Sequence, residues 1–139
     1  MLIHKQMECR RKRIGLQIEV PGLDDLVIAD LKLISILYNL FDNAMEACEK
    51  LAEPEERWIR ITTEPKKRSL QLRFENSCQK IQMKKDPFAT WKSNPEEHGL
   101  GLGIIRDLVL ESRGTVRFAR EESSFLAEVT LPTKKVAAA

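Results

Sequence analysis

Cysteine is scarce in this chain of 139 residues: Cys9, Cys48 and Cys78 are an odd count, and none shows CxxC or Cys/His spacing. That pattern disfavours a disulfide framework or a zinc site and fits a reducing compartment. An excess of one charge is lacking too. Twenty-three Lys+Arg face twenty-one Asp+Glu and leave +2, so global charge calls for neither nucleic acid nor an anionic membrane. There is no run of eighteen apolar residues and no charged-apolar-small leader, so the chain as given is expected neither to span a membrane nor to be exported by an ordinary signal. A cytoplasmic setting is the expectation, with any membrane link outside this stretch. What remains is 42% hydrophobic and 32% charged, ordinary for one soluble domain with a real core.

Periodicity supplies the elements. Residues 1–13 are polar and basic, with Lys5, Arg10, Arg11, Lys12 and Arg13 close together, and read as a solvated helix end or linker rather than a nucleic-acid arm. Ile14, Leu16, Ile18 and Val20 alternate as a half-buried strand closed by Pro21-Gly22. From Asp30 to Leu51 the residues Leu33, Leu37, Leu40, Ala44, Ala47 and Leu51 recur at helical steps, with Asp24, Asp25 and Asp30 as candidate N-caps. Trp58 to Thr63 and Leu70 to Phe74 alternate around a charged tip, Lys66-Lys67-Arg68, and predict a hairpin. Residues 77–98 show no sustained period and read as a long mobile loop. Ile104 to Arg113 predict a second helix stopped by Gly114, and Val116, Phe118 and then Phe125, Ala127, Val129, Leu131 a second hairpin. Strand, helix, hairpin, loop, helix, hairpin predicts an α+β two-layer sandwich, with a mixed, mostly antiparallel sheet and helices on one face.

Two features carry chemistry. Asn39, Asn43 and Glu46 form a polar line at helical steps inside the first long helix, where an amide competes for backbone hydrogen bonds. A solvated face would explain it; so would a ligand. Some fifty residues later His98-Gly-Leu-Gly-Leu-Gly103 leads into the second helix. Glycines there let backbone approach a ligand, and a helix N-terminus suits phosphate. Alone, the triple glycine is equally a flexible turn, because it lacks the dinucleotide fingerprint and the Gly-Lys-Ser/Thr of a P-loop. Together the two are more specific: amide oxygens one helical turn apart suit a magnesium ion already surrounded by phosphate oxygens and water.

With these residues the chain resembles the Bergerat-fold (GHKL) ATPase superfamily of gyrase, MutL and sensor histidine kinases, and specifically the ATP-binding catalytic domain of the last. Asn39-Leu-Phe-Asp-Asn43-Ala resembles the N box and His98 to Gly103 the second glycine box. Phe88-Ala-Thr90-Trp-Lys92-Ser93 is similar to the lid segment of quorum-sensing peptide receptor and citrate-sensor kinases. The resemblance covers residues 14–132, with 133–139 as a tail in which Ala137 to Ala139 read as a vector remnant. It implies that Asn43 and Asn39 hold Mg and the ATP phosphates, and that His98, Gly99, Leu100, Gly101, Leu102 and Gly103 line the phosphate cradle. It further implies that Leu102 and Ile81 flank adenine, that Lys92 reaches the γ-phosphate, and that Asn76 receives the adenine amino group. Asn76 stands where the family usually carries an aspartate, so charge assistance is absent, and Glu46 stands where many members carry lysine.

The implied activity is transfer of the γ-phosphate to a histidine on a dimerisation domain outside this chain, with a response regulator downstream. His4 lies in a basic stretch and is no acceptor, and His98 has no second histidine nearby for a metal site. Two alternatives stand beside this: a non-catalytic nucleotide-sensing or docking module, suggested by Asn76, and an anti-sigma-factor-like serine kinase of the same fold.

Overall fold

A computed structural model describes residues 2–80 and 95–134, with side chains from Ile3 to Lys80 and from Leu102 to Lys134. Its elements are α1 (Leu2–Arg11), β1 (Gly15–Glu19), α2 (Asp30–Glu49), β2 (Trp58–Pro65), β3 (Ser69–Ser77), α3 (Pro95–Glu111), β4 (Thr115–Arg120) and β5 (Ser124–Pro132). The strands form one sheet in the order β1-β2-β3-β5-β4. Only β1 and β2 pair in parallel, joined through α2; the other pairings are antiparallel. This is the mixed sheet expected from the order of elements.

Alternation explains which face is covered. Leu70, Leu72, Phe74 and Asn76 on β3 share a side with Ile59 and Ile61 on β2 and Ala127, Val129 and Leu131 on β5, and all are buried. Helix α2 lays Leu37, Leu40, Phe41, Ala44, Met45 and Cys48 on that face, and Phe41 meets Phe74 edge-on with ring centroids 5.3 Å apart. Helix α3 adds Leu102, Ile105 and Val109 to the same core. The opposite face is polar: Arg117 and Arg73 flank Glu128 across three strands.

The first residues are more than a solvated end. Helix α1 buries Lys5 and Cys9 against the body. It is tied to α2 by Lys5–Asp42 at 2.7 Å and Lys12–Glu49 at 3.2 Å, and the equal spacing of the two contacts along both helices makes α1 and α2 run parallel. It ends in a left-handed residue, Arg13 at φ 58, with Ile14 N–H bonding back to the Cys9 carbonyl and Arg13 N–H to that of Arg10. That is the Schellman closure, and the buried Ile14 and Cys9 supply its apolar contact.

Three boundaries differ from expectation. None of the candidate aspartates caps α2 through its side chain: Asp24 and Asp25 lie in a 3-10 turn, Ala29 is the N-cap, and Asp30 is the first helical residue, where its charge favours the positive end of the dipole. Helix α3 starts nine residues before Ile104, at Pro95, because Pro95-Glu96-Glu97 is itself a start signal, a proline at the first position followed by acids. The backbone from Pro95 to His98, read from sequence as part of the long loop, is helical, and residues 81–94 lie outside the described residues.

Candidate functional site

Helix α2 divides its circumference between two tasks. Its apolar stripe seats the sheet, and Asn39 and Asn43 lie half-buried along the border of that stripe, with Asp42 and Glu46 exposed beside them. Asn39 Nδ2 donates to the Ser35 carbonyl at 2.7 Å. That bond orients the amide and leaves Oδ1 as the available acceptor. Asn43, one turn further, makes no side-chain hydrogen bond to another described residue. Two neutral oxygen donors therefore stand one turn apart. Among the described residues no group of three or more His, Cys, Asp or Glu could hold a metal ion.

The glycine segment belongs to the helix packed beside α2. Lys32 near the start of α2 pairs with Glu111 at the end of α3 at 3.6 Å, so the two helices pack antiparallel. Counting the same 1.5 Å rise along each from that contact puts Asn39 and Asn43 level with Ile104 and Leu100. By that count the backbone of Gly99 to Gly103 lies at the level of the two asparagines along the helix axes. A Cβ at Gly103 would meet nothing within 4 Å, whereas one at Gly114 would come within 2.3 Å of the Thr130 carbonyl. Packing requires the second glycine and not the first. The expectation that these glycines open the helix is corrected: all three lie inside α3, where N–H groups beyond the first turn enter the helical ladder.

Asn76 sits at the sheet end of this region, 2% exposed. Its Nδ2 donates to the Ser77 carbonyl at 2.9 Å. The Ser77 hydroxyl in turn accepts from Trp58 N–H at 2.9 Å, which holds the end of β3 against β2. Asn76 pairs in register with Ile59 on one side and Phe125 on the other. Phe125 stacks on Phe118 with centroids 6.0 Å apart. These two half-buried rings on the helix side of the sheet were read from sequence only as strand positions. Their one signal was that Phe118 ends one alternating face and Phe125 begins the next, on either side of a charged turn. A buried amide beside stacked rings can take a flat, hydrogen-bonding heterocycle.

Other expected residues are placed in part. Leu102 is buried in the core between α3 and the sheet. The backbones of His98, Gly99, Leu100 and Gly101 lie in α3. Ile81 and Lys92 lie outside the described residues. A cavity of about 610 Å³ at the start of α2, bordered by Leu23, Val27, Leu33 and Lys134, includes neither asparagine. The three cysteines are free and buried. Burial pushes Cys9 up to about 11 and raises Cys48 and Cys78 as well, which leaves all three as protonated, unreactive thiols at neutral pH.

Residues 28–132 match the family model for the GHKL domain. The chain belongs to this family. Among solved structures it is similar to the nucleotide-free catalytic domain of the histidine kinase ThkA, with TM-score 0.72 and 24% identity over 95% of this chain and 88% of that one. It also resembles the Acinetobacter baumannii histidine kinase AdeS, with TM-score 0.67 and 15% identity over 96% of this chain and 61% of that one. ThkA in complex with the response regulator TrrA gives TM-score 0.70 and 22% identity, over 96% of this chain and 38% of that one. Comparison with curated proteins gives no match. The fold is that of histidine kinase catalytic domains, a Bergerat-type sandwich.

Proposed function

We propose that the chain is the ATP-binding catalytic domain of a two-component histidine kinase, transferring the γ-phosphate of Mg-ATP to a histidine on a separate dimerisation domain. The observation that carries this reading is the pair of neutral oxygens on Asn39 and Asn43, one turn apart and level with the glycines of α3. In this role Asn43 and Asn39 orient the phosphates and their metal ion. Magnesium, when bound, neutralises charge on the phosphate oxygens. Gly99 to Gly103 leave backbone free to lie close against the polyphosphate. Three glycines also weaken the first turns of α3 by about 1 kcal/mol each relative to alanine, so those turns are inexpensive to rearrange around a ligand. Asn76 Oδ1 accepts from the adenine amino group, with Phe125 and Phe118 beside it and Ile81 and Leu102 as flanks. Lys92 reaches the γ-phosphate. His98 contacts phosphate or bonds locally.

The proposed partners follow from the chemistry: a histidine-bearing dimerisation domain, which this chain does not supply, and a response regulator, as ThkA has in TrrA. Such a domain works on the cytoplasmic side of a membrane-anchored kinase, where ATP is present and three thiols stay reduced. Incubation with labelled ATP and the dimerisation domain tests the claim. Phosphohistidine on the added domain supports it; ATP binding without any transfer sinks the kinase reading. In that event a nucleotide-sensing module is the better account, favoured by the uncharged Asn76 and by Glu46 on the nucleotide side of α2.

A further inference from the structure

The nucleotide side of α2 is acidic for a surface meant to receive a polyphosphate. Asp42 lies between Asn39 and Asn43 in sequence, Glu46 follows Asn43 by one turn, and both carboxylates are exposed. Among the described residues Glu46 has no ion-pair partner, whereas Asp42 accepts a hydrogen bond from Lys5 Nζ at 2.7 Å. Lys5 comes from α1, and its ammonium also lies 4.7 Å from the centroid of the Tyr38 ring and 3.5 Å from Glu8. Only 7% of Lys5 remains exposed.

We propose that Lys5 is a positioning residue for the polyphosphate: from a neighbouring helix it neutralises Asp42 and so sets the charge of the surface that Asn39 and Asn43 present. The inference rests on the Mg-ATP reading above. Burial on its own would make a lysine easier to deprotonate, yet the hydrogen bond and attraction of Asp42 outweigh it and hold Lys5 above its ordinary value, so the ammonium stays charged at physiological pH. An unpaired carboxylate next to Asn43 would repel the anionic ligand through a partly aqueous medium, a repulsion that low salt preserves and high salt screens. Lys12, the residue after α1, pairs with Glu49 two turns further along, so the ammonium is delivered by an anchored helix.

Calorimetric titration of the 139-residue chain with Mg-ATP tests this at low and high ionic strength, with melting temperature recorded for each variant. Lys5→Met is expected to weaken binding about three-fold at low salt and less at high salt, and Lys5→Arg to keep most of the affinity. The double variant Lys5→Met with Asp42→Asn is expected to bind as the unaltered chain does. Asp42→Asn alone, which leaves Glu8 at 3.5 Å as the carboxylate facing Lys5, is expected to lower the melting temperature and, while folded, to tighten binding about three-fold at low salt. A Lys5→Met that binds normally, or a loss that Asp42→Asn does not restore, overturns the inference and leaves Lys5 a purely structural anchor. Absence of Mg-ATP binding by the unaltered chain is a different failure: it removes the nucleotide reading itself, and the inference with it.

Discussion

Asn76 donates its amide N–H to the carbonyl of its own neighbour Ser77 at 2.9 Å, and this one contact orients the only fully buried amide on the helix side of the described sheet. It leaves Oδ1 as the free group, an acceptor, which is what an adenine amino group requires. Restoring the aspartate usual in the family is therefore not a simple gain. Asn76→Asp would set a carboxylate oxygen against the Ser77 carbonyl with no donor between them. We expect the unliganded domain to lose about 1–3 kcal/mol, the usual cost of a buried polar group without its partner, read as a lower denaturation midpoint. Burial and the facing carbonyl would raise that aspartate above the ordinary carboxylate range, so the loss should shrink as pH falls.

The two glycines flanking α3's apolar segment should respond in opposite ways. Gly114→Ala forces a Cβ within 2.3 Å of the Thr130 carbonyl and 2.9 Å of Leu131, both inside the sheet, and should cost on the order of 2–3 kcal/mol or more. Gly103→Ala meets open space and improves helix propensity, so its melting temperature should rise, by an amount matching about 1 kcal/mol. Its Mg-ATP affinity should nevertheless fall. A Gly103→Ala variant that is more stable and binds ATP normally would show that this glycine takes no part in the site.

Arg113 occupies the left-handed region at φ 61, closing α3 as Arg13 closes α1. A glycine at that place has no Cβ penalty, so Arg113→Gly should stabilise the fold by about 1 kcal/mol. Chemical denaturation measures it, and an unchanged midpoint would mean that side-chain contacts of Arg113 offset the strain.

Stability should also depend on pH at the alkaline end. Cys9 rises from 9.0 in the unfolded chain to about 11 in the fold, chiefly through burial, with Cys48 and Cys78 shifted the same way. The folded state then holds protons that the unfolded state has lost. This contribution is fully present below pH 9 and is lost as pH rises through about 11. Denaturation midpoints measured from pH 8 to 11 should fall across that window, and Cys9→Ala should flatten the slope. Little change in slope would place the sensitivity elsewhere.

Most of the fold was legible in the sequence because its apolar period is clean. The stripe from Leu33 to Cys48 and the alternation of Leu70, Leu72 and Phe74 each have one buried face, and burial of one face is what makes a period visible. The start of α3 was not legible for the opposite reason: Pro95 to Gly103 mixes acids and glycines, and a helix turn without an apolar stripe has no period to read. Helix α1 was missed as a packed element because its main anchor is Lys5, a residue whose burial depends on Tyr38 and Asp42, 33 and 37 positions away. The same holds for the site. Asn39 and Asn43 stood out as amides in a helix interior, while Phe118 and Phe125 looked like any strand aromatics until the register set Phe125 opposite Asn76.

Titration of the chain with ATP, with and without magnesium, beside Asn43→Ala, bears most directly on the role of α2. The account predicts magnesium-dependent binding by the unaltered chain, and for Asn43→Ala, at a half-exposed position where folding is unaffected, a loss of about ten-fold or more, roughly 1.4 kcal/mol. Equal affinity in the two proteins, or no binding of Mg-ATP by the unaltered chain, would contradict it.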